Sequence, residues 1–217
     1  MPRKGSLLRE LPMLVVVALV VSLVIKTFLV QFFYIPSGSM ENTLQVNDRV
    51  AVNKVPFLGK SINRGDVVVF RDPDNWLPGP YTTDQNAVTA KIKEALVAVG
   101  VLPNPAKQYL VKRVIGVAGD TVECCSDGKK LMIGGVEIDE PYIFAGNSPS
   151  DSKFNVTVPD GKVWVMGDHR GASADSRFHQ DDINNGMVPL EKITGRAIAI
   201  IWPFKNFGLI SSFSSLK

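Results

Sequence analysis

Two serines separated by one glycine, Ser37-Gly38-Ser39, stand between a long apolar run and the first Val-rich segment of the chain. In such a turn one hydroxyl can attack a carbonyl while the other donates to the developing oxyanion, and Gly38 allows close approach to a substrate. Ser-Gly-Ser is as readily a plain linker, so a nucleophile here needs a base. A Ser-His-Asp triad would draw on His169 or His179, but both flank a charged loop without a nucleophile-elbow signature and read more simply as solvated. Lysine can serve instead once burial lowers its pKa. Over Tyr109–Ile115, period-two alternation places Leu110, Lys112 and Val114 on one face, with Tyr109, Val111, Arg113 and Ile115 on the other. Lys112 then sits between two aliphatic neighbours, which disfavours an ammonium. A lysine at a strand edge, or an inward Arg113 on a reversed face, fits the spacing equally well. A third polar cluster, containing Asp168, Ser173, Asp175 and Arg177, follows the Val-rich segment Lys162–Met166.

The elements that must position these residues are a membrane anchor and a β domain. A chain of 217 residues, 45% hydrophobic and 21% charged, holds one good-sized domain plus an anchor. A net charge of +3 with no long basic tract gives no support for nucleic-acid binding. Two Cys and two His exclude a four-ligand zinc site and a disulfide-rich scaffold, and no metal or other cofactor is implied. Residues 11–34 are expected to span a membrane. Arg3, Lys4 and Arg9 precede the run, so residues 1–10 are expected in the cytoplasm and 35–217 outside it. Lys26 would snorkel toward the outer interface. A cleaved signal peptide is the competing reading, but the apolar run exceeds the usual ~7–15 residues of such a segment.

After the anchor, short alternating or Val-rich runs predict strands at Arg49–Val52, Asp66–Phe70, Tyr109–Val117, Lys130–Ile138, Lys162–Met166 and Arg196–Trp202. Gly134-Gly135 is expected to close a hairpin. The fold class is therefore mainly β. One short helix is expected over 86–100, inside an insertion at 72–108, where Val88, Ile92, Leu96 and Val99 recur at helical spacing.

Four ordered segments then converge: PSGSMENTL from Pro36, RGDVVVF from Arg64, LVKRVIGVAGDTV from Leu110, and VMGDHRGASADSR from Val165. Together, behind the anchor, they closely resemble the single-anchor branch of the type I signal peptidases, membrane-bound Ser/Lys proteases that remove signal peptides from exported proteins. The resemblance covers the chain from about Met13 to Trp202. It implies Ser39 as nucleophile, Lys112 as general base, and an oxyanion hole from the Ser37 hydroxyl and the Ser39 N–H. It also implies that Ser173 orients the lysine, that Asp175 and Arg177 pair to hold the loop, and that Ile35, Met40, Leu44 and Val111 shape the substrate pockets. The implied partners are precursor proteins bearing signal peptides, and membrane lipid.

Asn42 stands where the family usually has Pro and is expected to loosen the turn after Ser39. His169 is a second departure and raises a pH-sensitive loop. Cys124-Cys125 could be two small buried residues or an oxidised turn staple. Two other readings compete: a self-cleaving Ser/Lys repressor-type protease, in which a DNA-binding module would replace the anchor, and an anchored β domain that only binds envelope proteins.

Overall fold

The computed structural model describes residues 7–54, 62–77, 108–126 and 130–213, with backbone alone at 7–9 and 22–28. It opens with a helix, α1 (Leu7–Phe28), and after one residue the chain enters β1 (Val30–Tyr34). β1 pairs antiparallel with β2 (Arg49–Asn53), Phe32 opposite Ala51 and Tyr34 opposite Arg49. This corrects the expected boundary of the span over 11–34, because its last five residues are a sheet edge. Val-Gln-Phe-Phe-Tyr is rich in β-formers, and an apolar run by itself does not distinguish a helix from such a strand. Among the described residues no helix is long and apolar enough to cross a membrane.

The remaining strands are β3 (Val67–Arg71), β4 (Tyr109–Gly116), β5 (Thr121–Ser126), β6 (Lys130–Ile133), β7 (Val136–Glu137) and β8 (Phe154–Thr157). They continue with β9 (Lys162–Met166), β10 (Val188–Pro189), β11 (Ile193–Trp202) and β12 (Gly208–Leu209). The larger sheet runs β1-β2-β11-β3-β4-β9-β10, with β12 on β11, and the smaller runs β7-β6-β5-β8. The mainly β expectation holds. The hairpin at Gly134-Gly135 is present, and both glycines take positive φ, as a tight two-residue hairpin turn requires.

The Val-rich strands are continuous in hydrophobicity because both faces are buried. On β3, Val68 and Phe70 join one apolar cluster with Leu110, Val114, Val163 and Val165, while Val67 and Val69 join another with Ile35, Met40 and Leu44. On β9, Trp164 and Met166 turn to a third cluster, which the smaller sheet supplies through Val122, Leu131, Ile133 and Phe154. β4 runs between these clusters. The helix expected over 86–100 lies outside the described residues. The start of the insertion is docked: Trp76 stacks on His179 at 4.5 Å, and its indole N–H donates to Asp182.

Candidate active site

Ser39 occupies a turn fixed from both ends. The Glu41 N–H donates to the Gly38 carbonyl, and the Thr43 and Leu44 N–H groups both donate to the Met40 carbonyl. The Met40 and Leu44 side chains are fully buried and anchor the turn in the same cluster as Ile35. Asn42 has φ 87° and donates from Nδ2 to the Tyr142 carbonyl at 3.0 Å. The turn is therefore pinned there, not loosened as expected. Proline, locked near −65°, could not adopt that backbone.

Lys112 reaches this turn from β4. It is 4% exposed, and its Nζ donates to Ser39 Oγ at 2.6 Å. Burial lowers its pKa to about 8; Asp175 and then Asp168 oppose the shift, and Arg177 adds to it. Arg113 is equally buried, but its guanidinium is committed to Asp168 through Nε at 2.8 Å and Nη2 at 2.6 Å, and to Thr43 Oγ1. Of the Lys-Arg pair, it is Lys112 that bonds the Ser39 hydroxyl. The ion-paired guanidinium stays charged and cannot take a proton, whereas the Lys112 amine, its pKa lowered to about 8, can. The second turn serine, Ser37, is exposed, with its Oγ 3.5 Å from Ser39 Oγ.

The loop after β9 closes the site. Asp175 caps a short 3-10 helix, Ser176–Phe178, and gathers four partners: Gly167 N–H, Ser173 Oγ, Arg177 N–H and the Arg177 guanidinium. The Asp175-Arg177 pair expected from sequence is in place at 2.8 Å, with both side chains buried. Ser173 differs from expectation. Its hydroxyl donates to Asp175 at 2.7 Å, and no hydrogen bond joins it to Lys112. Asp175, which Ser173 bonds, acts on Lys112 through its charge. Neither histidine bonds the Ser39 hydroxyl: His179 stacks on Trp76, and His169 bonds Glu41. Cys124 and Cys125 are joined to each other on β5, within the third cluster.

Two contributors escaped the sequence reading. The buried Arg113-Asp168-Thr43 cluster ties β4, the serine turn and the loop together, and its members lie 55 to 125 positions apart. Gly167 is the other: a Cβ there would overlap Ser173 Oγ and the Ser39 carbonyl. Gly167→Ala is therefore expected to displace Ser39 and lower kcat by about 10²-fold, the usual cost of a misplacement near 1 Å. Steady-state cleavage of a precursor peptide by the folded variant measures this.

Residues 8–202 match the family model described as signal peptidase, peptidase S26. The chain is 40% identical to signal peptidase I of Mycobacterium tuberculosis over 97% of its own length and 78% of that protein. It is 37% identical to a probable signal peptidase I of Mycobacterium leprae, over 99% of this chain and 83% of that one. A crystal structure of a signal peptidase I from Enterococcus faecalis superposes with a TM-score of 0.38 and 24% identity, covering 63% of this chain and 97% of that one. With a family model spanning nearly the whole chain and relatives of this identity on both sides of the serine turn and β4, the protein belongs to the type I signal peptidases of the S26 peptidase family.

Proposed function

We propose that this signal peptidase is a membrane-anchored Ser/Lys endopeptidase that cuts between signal peptide and mature chain. The observation that carries the reading is the buried 2.6 Å contact between Lys112 Nζ and Ser39 Oγ. In its neutral form the amine accepts the Ser39 proton, and Oγ attacks the carbonyl of the residue before the cut. The Ser39 N–H and the Ser37 hydroxyl stabilise the oxyanion. The lysine returns its proton to the departing amine, which becomes the new N-terminus. A water molecule, deprotonated by Lys112 in turn, then releases the acyl group from Ser39.

The substrate has a place to lie. β9 pairs with β4 only from Arg113 onward, so among the described residues the edge of Tyr109–Lys112 opposite β3 carries no strand. An extended peptide can add there through backbone hydrogen bonds. Ile35, Met40 and Leu44 pack together with Val111 against them, and they are read as the walls that favour small side chains one and three residues before the cut. Incubating the protein with a precursor bearing an Ala-x-Ala site and sequencing the product tests this. The new N-terminus is expected immediately after the second alanine; an intact precursor, or cuts elsewhere, would contradict the reading.

α1 is read as the anchor, with the N-terminus cytoplasmic and the β domain outside. The reading rests on the apolar run of the sequence from Leu11 and on Arg3, Lys4 and Arg9 before it. The sheet supports contact with lipid. Tyr34, Arg49 and Trp202 form one cross-strand row, while Phe32, Ala51, Ala199 and Leu209 form the next but one on the same face. Phe32, Tyr34, Trp202 and Leu209 are exposed on β1, β11 and β12, and Phe204 and Phe207 are exposed in the turn between β11 and β12. An apolar patch of this kind suits a lipid interface. Because β1 belongs to the sheet, the truncation that keeps the domain intact removes residues 1–28. That fragment is expected to cleave short peptides and still sediment with phospholipid vesicles. Trp202→Ser combined with Leu209→Ser should abolish sedimentation, and vesicle-independent behaviour of the unmutated fragment would refute the lipid-facing patch.

A further inference from the structure

The serine turn carries one charge of its own that the reaction does not use. Glu41 lies two residues after Ser39, and its carboxylate folds back over Gly38, between the two serines. A Cβ on Gly38 would lie 2.9 Å from Glu41 Cδ and Oε1. Gly38 does not have positive φ, so the absent side chain makes room for this carboxylate and is not needed for a left-handed turn. The Gly38-Ser39 peptide carries the backbone N–H assigned to the oxyanion hole, and its carbonyl accepts from the Glu41 N–H at 3.0 Å. An uncompensated carboxylate beside that peptide would repel the negative charge that develops on the substrate oxygen.

His169 holds that carboxylate. Its ring Nδ1 lies 2.9 Å from Glu41 Oε2. A carboxylate only accepts, so Nδ1 carries the proton and donates whether the ring is neutral or charged. The ring is fixed on its other side by stacking on Phe144, 4.2 Å between centroids and 15° between planes. The backbone N–H of the same residue donates to the Ser39 carbonyl at 3.1 Å. One residue thus grips the nucleophile's own carbonyl and the carboxylate two positions later. The neighbouring charges are already committed elsewhere, Asp168 to Arg113 and Arg170 to Glu140. Glu41 is left as the charge that His169 answers.

We propose that His169 is a positioning residue, which keeps the Glu41 carboxylate tied down on its side of Gly38 and so protects the oxyanion hole next to it. The proposal rests on the Ser39/Lys112 reading. It predicts a cost in the chemical step that disappears when the carboxylate's charge is removed, which a purely structural role for His169 would not produce.

The test is a mutant cycle in the full-length protein with a signal-peptide substrate, measuring kcat and KM separately. His169→Ala is expected to lower kcat about tenfold, with KM within about twofold, since it weakens one element of oxyanion stabilisation and leaves the backbone bond to Ser39. Adding Glu41→Gln to that variant is expected to restore kcat to within about threefold of the parent. An unchanged kcat in His169→Ala would overturn the proposal, and so would a double variant no faster than the single. If circular dichroism shows that His169→Ala is unfolded, His169→Leu replaces it with the same expectations, since leucine keeps apolar contact with Phe144 but has no donor. Ser39→Ala in each background separates the two levels. Cleavage that survives Ser39→Ala overturns the Ser/Lys reading, whereas failed rescue with Ser39 dependence intact overturns only the role of His169.

Discussion

Ser39→Ala and Lys112→Ala are each expected to lower precursor cleavage by about 10⁴-fold or more while leaving the β domain folded. The two groups act on one proton across one 2.6 Å contact. Without Oγ there is nothing to acylate, and without the amine the hydroxyl stays protonated. Removing both should cost little more than removing either, because groups that act as a unit are not additive. Ser37→Ala should be milder, about 10²–10³-fold in kcat, as expected for one oxyanion donor of two. Single-turnover cleavage of a labelled precursor, with folding checked by circular dichroism, measures all four variants. Substantial activity in Lys112→Ala would remove the lysine from the mechanism.

The second large effect is on stability, and it runs the other way. The fold holds a lysine at a pKa of about 8 that would ordinarily titrate at 10.5. Keeping the charged form buried therefore costs the native state roughly 3 kcal/mol below pH 8. Lys112→Met keeps the chain length and removes the charge, but loses the bond to Ser39. A net stabilisation of about 2 kcal/mol is expected at pH 7, or about 4–8 °C in Tm for a domain of this size. The sign follows from the lowered pKa. The unfolded chain binds the proton more tightly, so the penalty is full below the folded value and fades as pH rises from about 8 toward 10.5. Thermal melts should thus favour the variant most near neutrality, and above pH 10.5 the order should reverse by about 1 kcal/mol, because the penalty is gone and the lost bond to Ser39 remains. A variant less stable than the parent at pH 7 would mean that the lysine is not disfavoured by its surroundings. The prediction also separates function from stability at one position, because the substitution that strengthens the fold abolishes its chemistry.

The residues best read from sequence were those whose local pattern carries physical meaning. Lys112 was legible because strict alternation set it between Leu110 and Val114, and both are buried. The unbroken Val67–Phe70 run signalled a strand covered on both faces, and β3 is one. β1 was hidden because lipid-facing helix and edge strand draw on the same residues, so Val30–Tyr34 merged into the apolar run before it. β8 and β10 are short strands with no apolar run to mark them, and their pairing partners decide their conformation. The Arg113-Asp168-Thr43 cluster and the Glu41-His169 pair join residues far apart in the chain, and no local period reports such contacts. Ser173 shows the limit in the opposite sense. Its position in the motif was plain, but Asp175 two residues on captures its hydroxyl. Of the insertion read from helical spacing at 86–100, the described residues include only the edge, where Trp76 closes on His179 and Asp182.

The pH dependence of kcat tests the Ser39/Lys112 mechanism most directly. The base must be unprotonated, so activity should rise with pH through the lysine value of about 8 and level off above it. The same limb should persist in the His169→Asn and His179→Asn variants, whatever their absolute rates. A limb centred near ~6.5 that disappears with one of those histidines would contradict the account, because it would place the proton on imidazole and leave Lys112 without a role.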